Sequence, residues 1–351
     1  MERNLYISNF KYYGVLLIKA LLFCGLLIPA VMWLGETYKQ ASKENQINNH
    51  NAQRFEDFYK EDQVYDLIFV GSSHAYCTFD PDIFDSELGT NSFNMGMPLQ
   101  LPASTYYELK DIFKHQSPKT IVMEVYWGVL NTDFQINQVT QLFQVMDDTA
   151  LKSEYIEKVF PLSEKIKYSV DALKYQSDYF AYKSDEYEER FRNLFDIPKP
   201  ETEKHTEGVE EYGTKGFIYC TYNMLPGEYD KTNQFRGLNG RDFSFSDVQM
   251  KYLRKTAELC EEEGAELIFV TAPVAPVSLD YIENYDIIHS KIALLSQELD
   301  VPYFDYNIIN SEENLVTDEN FRDDAHLNYS GAKIICNHFI NLMKEKGIEL
   351  K

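Results

Sequence analysis

An uninterrupted apolar run near the N-terminus restricts what this chain can fold into more than any other feature. Residues 13–34 read YGVLLIKALLFCGLLIPAVMWL, and Lys19 is the only charged residue among them. A helix of this length spans the hydrocarbon core of a bilayer. Lys19 lies close enough to one end for its amine to reach the interface, and Trp33 lies at the other end, where interfacial aromatic residues are common. The sequence predicts a transmembrane helix over residues 13–35.

The charges that flank this run predict its orientation. Arg3 and Lys11 precede it, so the positive-inside rule places residues 1–12 in the cytoplasm. Residues 36–64 are then a juxtamembrane linker, and residues 65–351 form an extracytoplasmic domain of a single-pass protein of the cell membrane. A cleaved signal peptide is the alternative, but the run is long and no A-x-A site follows it.

The charge balance excludes one class of protein. The chain has 56 acidic and 33 basic side chains, a net charge of −23, and residues 1–46 contribute five basic against three acidic ones, so the exported part carries −25. A phosphate backbone requires a basic surface, so no nucleic-acid partner is predicted. The five cysteines include no CxxC pair, so no metal site and no cofactor is predicted. The cysteines are expected to be free, although the sequence leaves a Cys77–Cys220 bridge open.

Beyond the linker, strand-like and helix-like segments alternate. Apolar runs typical of buried strands lie at 66–70, 91–95, 120–125, 266–273 and 302–306. Helical segments are expected at 104–115 with Ser104 as N-cap, after Ser246 up to Gly264, at 284–299, and at 330–346. This order predicts an α/β fold, a three-layer α/β/α arrangement around a parallel sheet. Residues 135–245 interrupt it as an insertion, a lid or flanking subdomain, with helices near 151–182 and an acidic run over 185–211.

Two short motifs predict where chemistry takes place. Gly71-Ser72-Ser73-His74 follows the first strand of the sheet, and ligands of open α/β sheets bind at the carboxyl ends of strands. Asp323-Asp324-Ala325-His326-Leu327-Asn328 precedes the last helix. An aspartate three residues before a histidine can orient the imidazole, and an oriented imidazole is the base that a serine nucleophile needs. The sequence therefore predicts a catalytic Ser73, His326 and Asp323.

These motifs resemble those of the SGNH (GDSL-like) hydrolase superfamily, over about residues 66–130 and 265–345. Ser73 takes the position of the family's nucleophile, with Ser72 in place of the usual aspartate, and Asp323 and His326 match the family's terminal motif. The resemblance implies a flavodoxin-like sheet and an oxyanion hole formed by the backbone N–H groups of Ser73 and Gly96. The family's G-x-N-D motif is missing after the third strand, and Asn131 is the nearest substitute for its asparagine donor.

With the N-terminal anchor, the chain resembles a membrane-anchored branch of that superfamily. This branch includes DltD-type teichoic acid D-alanylation proteins and exopolysaccharide O-acetylation proteins, which work with multi-span membrane-bound O-acyltransferases. The resemblance implies acyl transfer, with acetyl as the expected group, to a cell-surface polysaccharide or teichoic-type polymer through an acyl-serine. An esterase that removes acyl groups and a catalytically weak scaffold for the membrane partner are the alternatives.

We make a separate prediction for each of three further residues. Glu124 interrupts a buried strand and is expected to find a structural hydrogen-bond partner. His74 is interpreted either as a substrate contact or as a packed histidine. Asp324 is expected to face solvent.

Overall fold

The N-terminal apolar run forms part of a single long helix, α1 (Glu2–Asn45). The structure is a computed structural model that describes residues 2–45, 50–60, 63–176, 179, 180, 183, 187, 190, 192, 194, 195 and 210–350, with only the backbone of residues 2–11 and 40–45. Within α1, Tyr12–Lys39 is long and apolar enough to span a membrane, and its apolar side chains are exposed. The predicted N-terminal helix is confirmed, and a signal sequence would have the same appearance.

The described residues form two units. The first combines α1 with residues from 156 to 195, and the second consists of the described residues from 50 to 155 and from 210 to 350. The first unit holds the end of α7 (Thr149–Val159), α8 (Leu162–Tyr168) and α9 (Asp171–Lys174). Most of the acidic run over 185–211 lies outside the described residues.

The second unit is built on a five-stranded, fully parallel sheet. Its strands are β1 (Leu67–Val70), β2 (Ser92–Asn94), β3 (Thr120–Glu124), β6 (Glu266–Thr271) and β7 (Tyr303–Asp305), in the order β2-β1-β3-β6-β7. A separate antiparallel pair joins β4 (Glu211–Tyr212) to β5 (Ile218–Tyr219). The parallel sheet confirms the predicted α/β class.

Helices cover the sheet between successive strands. The remaining described helices are α2 (His50–Phe58), α3 (Ser73–Thr78), α4 (Pro81–Leu88), α5 (Pro102–His115), α6 (Ile136–Val145), α10 (Asp247–Glu263), α11 (Pro276–Leu279), α12 (Tyr285–Leu299), α13 (Tyr306–Glu313) and α14 (Tyr329–Lys346). Phe69 on β1 belongs to the same buried core as Phe84 of α4 and Phe339 of α14. Its neighbour Ile68 points to the opposite face and is equally buried, so both faces of the sheet are covered.

Local signals determine the ends of α10. The Ser246 hydroxyl accepts hydrogen bonds from the N–H groups of Val248 and Gln249, at 3.1 and 3.4 Å. Gly264 ends the helix in the left-handed conformation, with φ of 73°. Both predicted ends of this helix are confirmed. They could be predicted because a serine N-cap and a glycine C-cap act within one helical turn.

The start of α5 was predicted wrongly. The helix begins at Pro102 with Leu101 as N-cap, and Ser104 lies inside it. Proline is favoured in the first turn of a helix, because its missing N–H has no partner there in any case. The buried Ser104 hydroxyl instead lies 2.7 Å from the Tyr155 hydroxyl.

The cysteines agree with the expectation of free thiols. None of the five forms a disulfide, and Cys77 and Cys220 are both buried. Burial raises the pKa of Cys77 to about 12, so its thiol is protonated and unreactive at neutral pH.

Candidate active site

Ser73 lies on a sharp turn between a strand and a helix. β1 ends at Val70, and α3 begins with Ser73 itself. The Ser72 hydroxyl caps this helix by accepting a hydrogen bond from the His74 N–H, at 3.1 Å. The turn thereby presents Ser73 at the carboxyl end of the sheet, as predicted from the sequence.

Gly71 makes this turn possible. Its φ is +131°, and a Cβ built on it would lie 2.5 Å from the Glu124 carbonyl oxygen. An L-residue would therefore meet both an unfavourable backbone conformation and a backbone clash.

We expect Gly71→Ala to lower the free energy of unfolding by about 3 kcal/mol or more, because the clash is with backbone that cannot rotate away. Gly89→Ala is the matched control. Gly89 also has a positive φ, +70°, but nothing lies within 4 Å of its built Cβ, so we expect a loss of about 1 kcal/mol. Urea unfolding of both variants measures the difference, and equal losses would contradict the role given to the Glu124 carbonyl.

The serine, histidine and aspartate of the two motifs come together in one hydrogen-bonded chain. The Ser73 Oγ lies 2.8 Å from His326 Nε2, and His326 Nδ1 lies 3.0 Å from each carboxylate oxygen of Asp323. Asp323 Oδ1 also accepts hydrogen bonds from the N–H groups of Ala325 and His326, at 2.8 and 2.7 Å. This geometry allows His326 to take a proton from Ser73.

The electrostatics of Asp323 favour its charged form. Burial alone would raise its pKa, but the nearby charge of His326 and the hydrogen bonds from His326 and Ala325 lower it below its ordinary value. A carboxylate held in the charged form stabilises the imidazolium that forms when His326 accepts a proton.

The loop that carries Asp323 and His326 is fixed on both sides. The Arg322 N–H donates to the His326 carbonyl at 2.9 Å, and Phe321 and Leu327 form an antiparallel bridge. The Asn328 side chain caps α14 by accepting a hydrogen bond from the Gly331 N–H, at 3.1 Å. The base and its orienting carboxylate are therefore held by backbone pairing.

Asp324 was expected to face solvent, and that prediction is wrong. Asp324 is buried, and its two carboxylate oxygens accept hydrogen bonds from the N–H and the side-chain amide of Gln234, both at 2.8 Å. The Met224 N–H donates to the Phe321 carbonyl, at 2.7 Å. The C-terminal part of the predicted insertion (residues 135–245) thus packs against the loop that contains His326. This contact joins residues far apart in the chain, so no local sequence pattern predicts it.

Glu124 supports the nucleophile turn from the neighbouring strand. Its Oε2 accepts hydrogen bonds from the Ser72 hydroxyl at 2.6 Å and from the Ser72 N–H at 3.1 Å. Burial raises the pKa of Glu124 to about 7, against the opposing effect of these hydrogen bonds. The predicted structural partner is thus Ser72.

This raised pKa makes stability depend on pH. Folding raises the pKa of Glu124 from about 4.5 to about 7, so the folded state binds its proton more tightly than the unfolded state does. The contribution of Glu124 therefore falls as pH rises between these values, by about 3 kcal/mol in total. We expect the free energy of unfolding of the wild type to fall by that amount relative to Glu124→Gln between pH 4.5 and pH 8. The free energy of unfolding of each protein is measured with urea at several pH values. An equal change with pH in the two proteins would contradict the raised pKa of Glu124.

His74 packs beside the histidine base. Its ring stacks on Tyr126 with centroids 4.3 Å apart, and lies 4.8 Å from the His326 ring. Burial, followed by the charge of His326, lowers the pKa of His74 well below its ordinary value. Of the two interpretations left open, the structure supports the packed and neutral histidine.

Of the three predicted oxyanion donors, one already has a hydrogen-bond partner in the structure. The Ser73 N–H opens α3, where helical N–H groups have no partner within the helix. The Gly96 N–H, however, donates to Asn94 Oδ1 at 3.0 Å, so it is already paired. Gly96 serves close packing instead, since a Cβ there would lie 2.9 Å from the Ser72 carbonyl oxygen.

The role of Asn131 as the third oxyanion donor stays a prediction. Asn131 is exposed and follows the short 3-10 turn Trp127–Val129, and among the described residues it makes no hydrogen bond to Ser73 or His326. Its spacing from β3 differs from the family pattern, which was the only signal available in the sequence.

Comparison with known proteins gives distant similarities. A protein-family model matches residues 233–347, a span that contains Asp323 and His326 but not Ser73. No curated protein matches the chain. A candidate acylhydrolase from Bacteroides fragilis is 11% identical with a TM-score of 0.39, covering 84% of this chain and 94% of its own.

Two further solved structures are similar at the same level. The psychrotrophic esterase EstA from Pseudoalteromonas sp. is 8% identical with a TM-score of 0.36, over 81% of this chain and all of its own. A GDSL-like lipase from Bacteroides thetaiotaomicron is 10% identical with a TM-score of 0.37, over 85% and 98%.

Proposed function

We propose that this protein is a membrane-anchored, extracytoplasmic acyltransferase of the SGNH type that modifies a cell-surface polymer through an acyl-Ser73 intermediate. The observation that carries the proposal is the continuous chain from Ser73 Oγ through His326 to Asp323, with distances of 2.8 and 3.0 Å. A serine becomes a nucleophile when such an oriented base accepts its proton.

The reaction has two balanced halves. In the first, Ser73 Oγ attacks the acyl carbonyl of a thioester or oxoester while His326 takes the hydroxyl proton. The tetrahedral intermediate collapses, and the leaving group departs with that proton. In the second half, an acceptor hydroxyl loses its proton to His326 and attacks the acyl-serine, and Ser73 regains the proton as it leaves. The Ser73 N–H stabilises the oxyanion in both halves.

The proposed setting is the outer face of the cell membrane, with α1 as anchor and a multi-span membrane-bound O-acyltransferase as the partner that delivers the acyl group. The exported part carries a net charge of −25, and like charges repel over the screening distance in solution. Neutral cell-surface glycans therefore suit this domain better as acceptors than polyphosphate teichoic acids.

A scaffold without activity is the second candidate, and one observation favours it. The Gly96 N–H is paired with Asn94, so one of the three expected oxyanion donors already has a hydrogen-bond partner. Losing one such donor costs about 3 to 4 kcal/mol of transition-state stabilisation. A scaffold predicts that the purified protein forms no acyl-enzyme at all.

The experiment that tests the proposal separates transfer from hydrolysis. The purified full-length protein in detergent is incubated with a radiolabelled acetyl ester, with and without a neutral oligosaccharide. Transfer predicts label on the oligosaccharide and a corresponding loss of free acetate. Label that appears only in acetate, whatever the acceptor concentration, identifies an esterase with the same acyl-serine and contradicts the transferase assignment.

A further inference from the structure

The unit that contains α1 exposes apolar side chains away from the transmembrane segment. Leu162, Ile166, Leu173 and Phe180 are 74%, 59%, 43% and 54% exposed; we refer to these four residues as the apolar platform. Leu162 and Ile166 are four residues apart on α8, so they share one helix face. Large exposed apolar side chains grouped in this way mark a surface that is covered in the functional state.

The apolar platform is joined to α1 through α9, which packs on the C-terminal end of the apolar run of α1 and also on α8. A Cβ built on Gly35 would lie 2.9 Å from Asp171 Cβ and 3.1 Å from the Ala172 N, so the backbones approach closely there. One helical turn further, the rings of Tyr38 and Tyr179 lie 4.5 Å apart. α9 is therefore held next to the point where the predicted transmembrane segment ends.

A cavity shows how far along α1 the contact with the α8–α9 segment extends. A space of about 470 Å³ is lined on α1 by Leu27, Ile28, Val31, Met32 and Glu36, and on the other side by residues 169–171. Ile28 lies six residues inside the end of the apolar run, which is about 9 Å along a helix. The corner between α8 and α9 therefore lies at the level of the bilayer interface.

The charges around the apolar platform suit a lipid surface. Residues 156–180, which contain the apolar platform, are neutral, with four lysines (Lys158, Lys165, Lys167 and Lys174) and four acidic residues, in a chain whose net charge is −23. Apolar side chains interspersed with lysines are typical of segments that lie in the interface of membranes with anionic lipids.

We propose that the apolar platform lies in the headgroup region of the outer leaflet of the same bilayer that α1 spans. The side chains of α8 and α9 are covered by lipid, and the cavity between residues 169–171 and α1 opens to acyl chains. The inference rests on the proposed anchoring by α1 and is independent of Ser73 chemistry, so each can fail without the other.

Depth-dependent fluorescence quenching of the full-length protein tests this. Cys24→Ser removes the exposed cysteine and leaves four buried ones, so an added Ile166→Cys can be labelled with the fluorophore NBD. Leu294→Cys is the matched control, because Leu294 is 65% exposed and lies on α12 in the α/β unit. Both proteins are reconstituted in vesicles of phosphatidylcholine with a minor share of phosphatidylglycerol, containing lipids with a nitroxide at a shallow or a deep position.

We expect the shallow nitroxide to quench the label at residue 166 about threefold more than the label at residue 294, because an interfacial helix lies at headgroup level. Equal quenching of the two labels would overturn the proposal, and is the result expected if another protein, absent from these vesicles, covers the apolar platform. Stronger quenching of residue 166 by the deep nitroxide than by the shallow one would also overturn it.

Discussion

Replacing Ser73 with alanine is expected to lower acyl transfer by about four orders of magnitude or more, because among the described residues Ser73 supplies the hydroxyl that lies against the base. The Ser73 Oγ lies 2.8 Å from His326 Nε2, while the nearby Ser72 hydroxyl is committed to Glu124 at 2.6 Å. The measurement is the rate of acetyl release from a chromogenic ester, together with the amount of folded protein in the membrane fraction.

Ser86→Ala provides the control for this variant. Ser86 is exposed on α4, and its hydroxyl donates only to the Ile83 carbonyl, at 2.9 Å. We expect this variant to keep the wild-type rate. If Ser73→Ala also kept it, the proposed nucleophile would be wrong, and Ser73 would be an ordinary turn residue.

Replacing Asp323 with asparagine is expected to lower the same rate by about 10²- to 10⁴-fold. The substitution keeps the shape of the side chain but removes the charge that stabilises the imidazolium and fixes its tautomer. Asp323 contacts His326 Nδ1 through both oxygens at 3.0 Å, so the loss acts directly on the base. Single-turnover acetylation of Ser73 measures this step apart from deacylation.

The adjacent Asp324 supplies a matched control. Asp324→Asn removes a carboxylate one residue away that is more buried than Asp323, but its partners are the N–H and side-chain amide of Gln234 rather than His326. We expect it to reduce stability and to change the acetylation rate by less than about tenfold. Equal losses of rate in the two variants would show that the loop conformation, and not the charge of Asp323, determines activity.

Much of the fold could be predicted because its signals are local. The strand β1 and the helix α10 were predicted within one or two residues, since a buried run, a serine N-cap and a glycine C-cap act over a few positions. The helix α13 (Tyr306–Glu313) was missed. It starts directly after β7, where the Asp305 side chain caps it, without the loop that usually separates two elements.

Part of the candidate site could also be predicted from the sequence. Ser73 follows the first strand of the sheet, and the Asp323–His326 pair precedes the last helix of the same α/β domain, an order that indicated that they meet. The oxyanion donors could not be predicted in this way. Whether the Gly96 N–H is free depends on the Asn94 side chain, and the burial of Asp324 depends on Gln234, ninety residues away in the chain.

The most direct test of the central claim is labelling of the purified full-length protein with a serine-directed fluorophosphonate, followed by peptide mapping. We expect a single phosphonylated peptide that contains Ser73, and loss of labelling in His326→Ala, because the probe reacts only with a serine whose proton a base removes. A folded protein that takes up no label, or labelling that persists at Ser73 in His326→Ala, would contradict the claim that Ser73, His326 and Asp323 act as one catalytic unit.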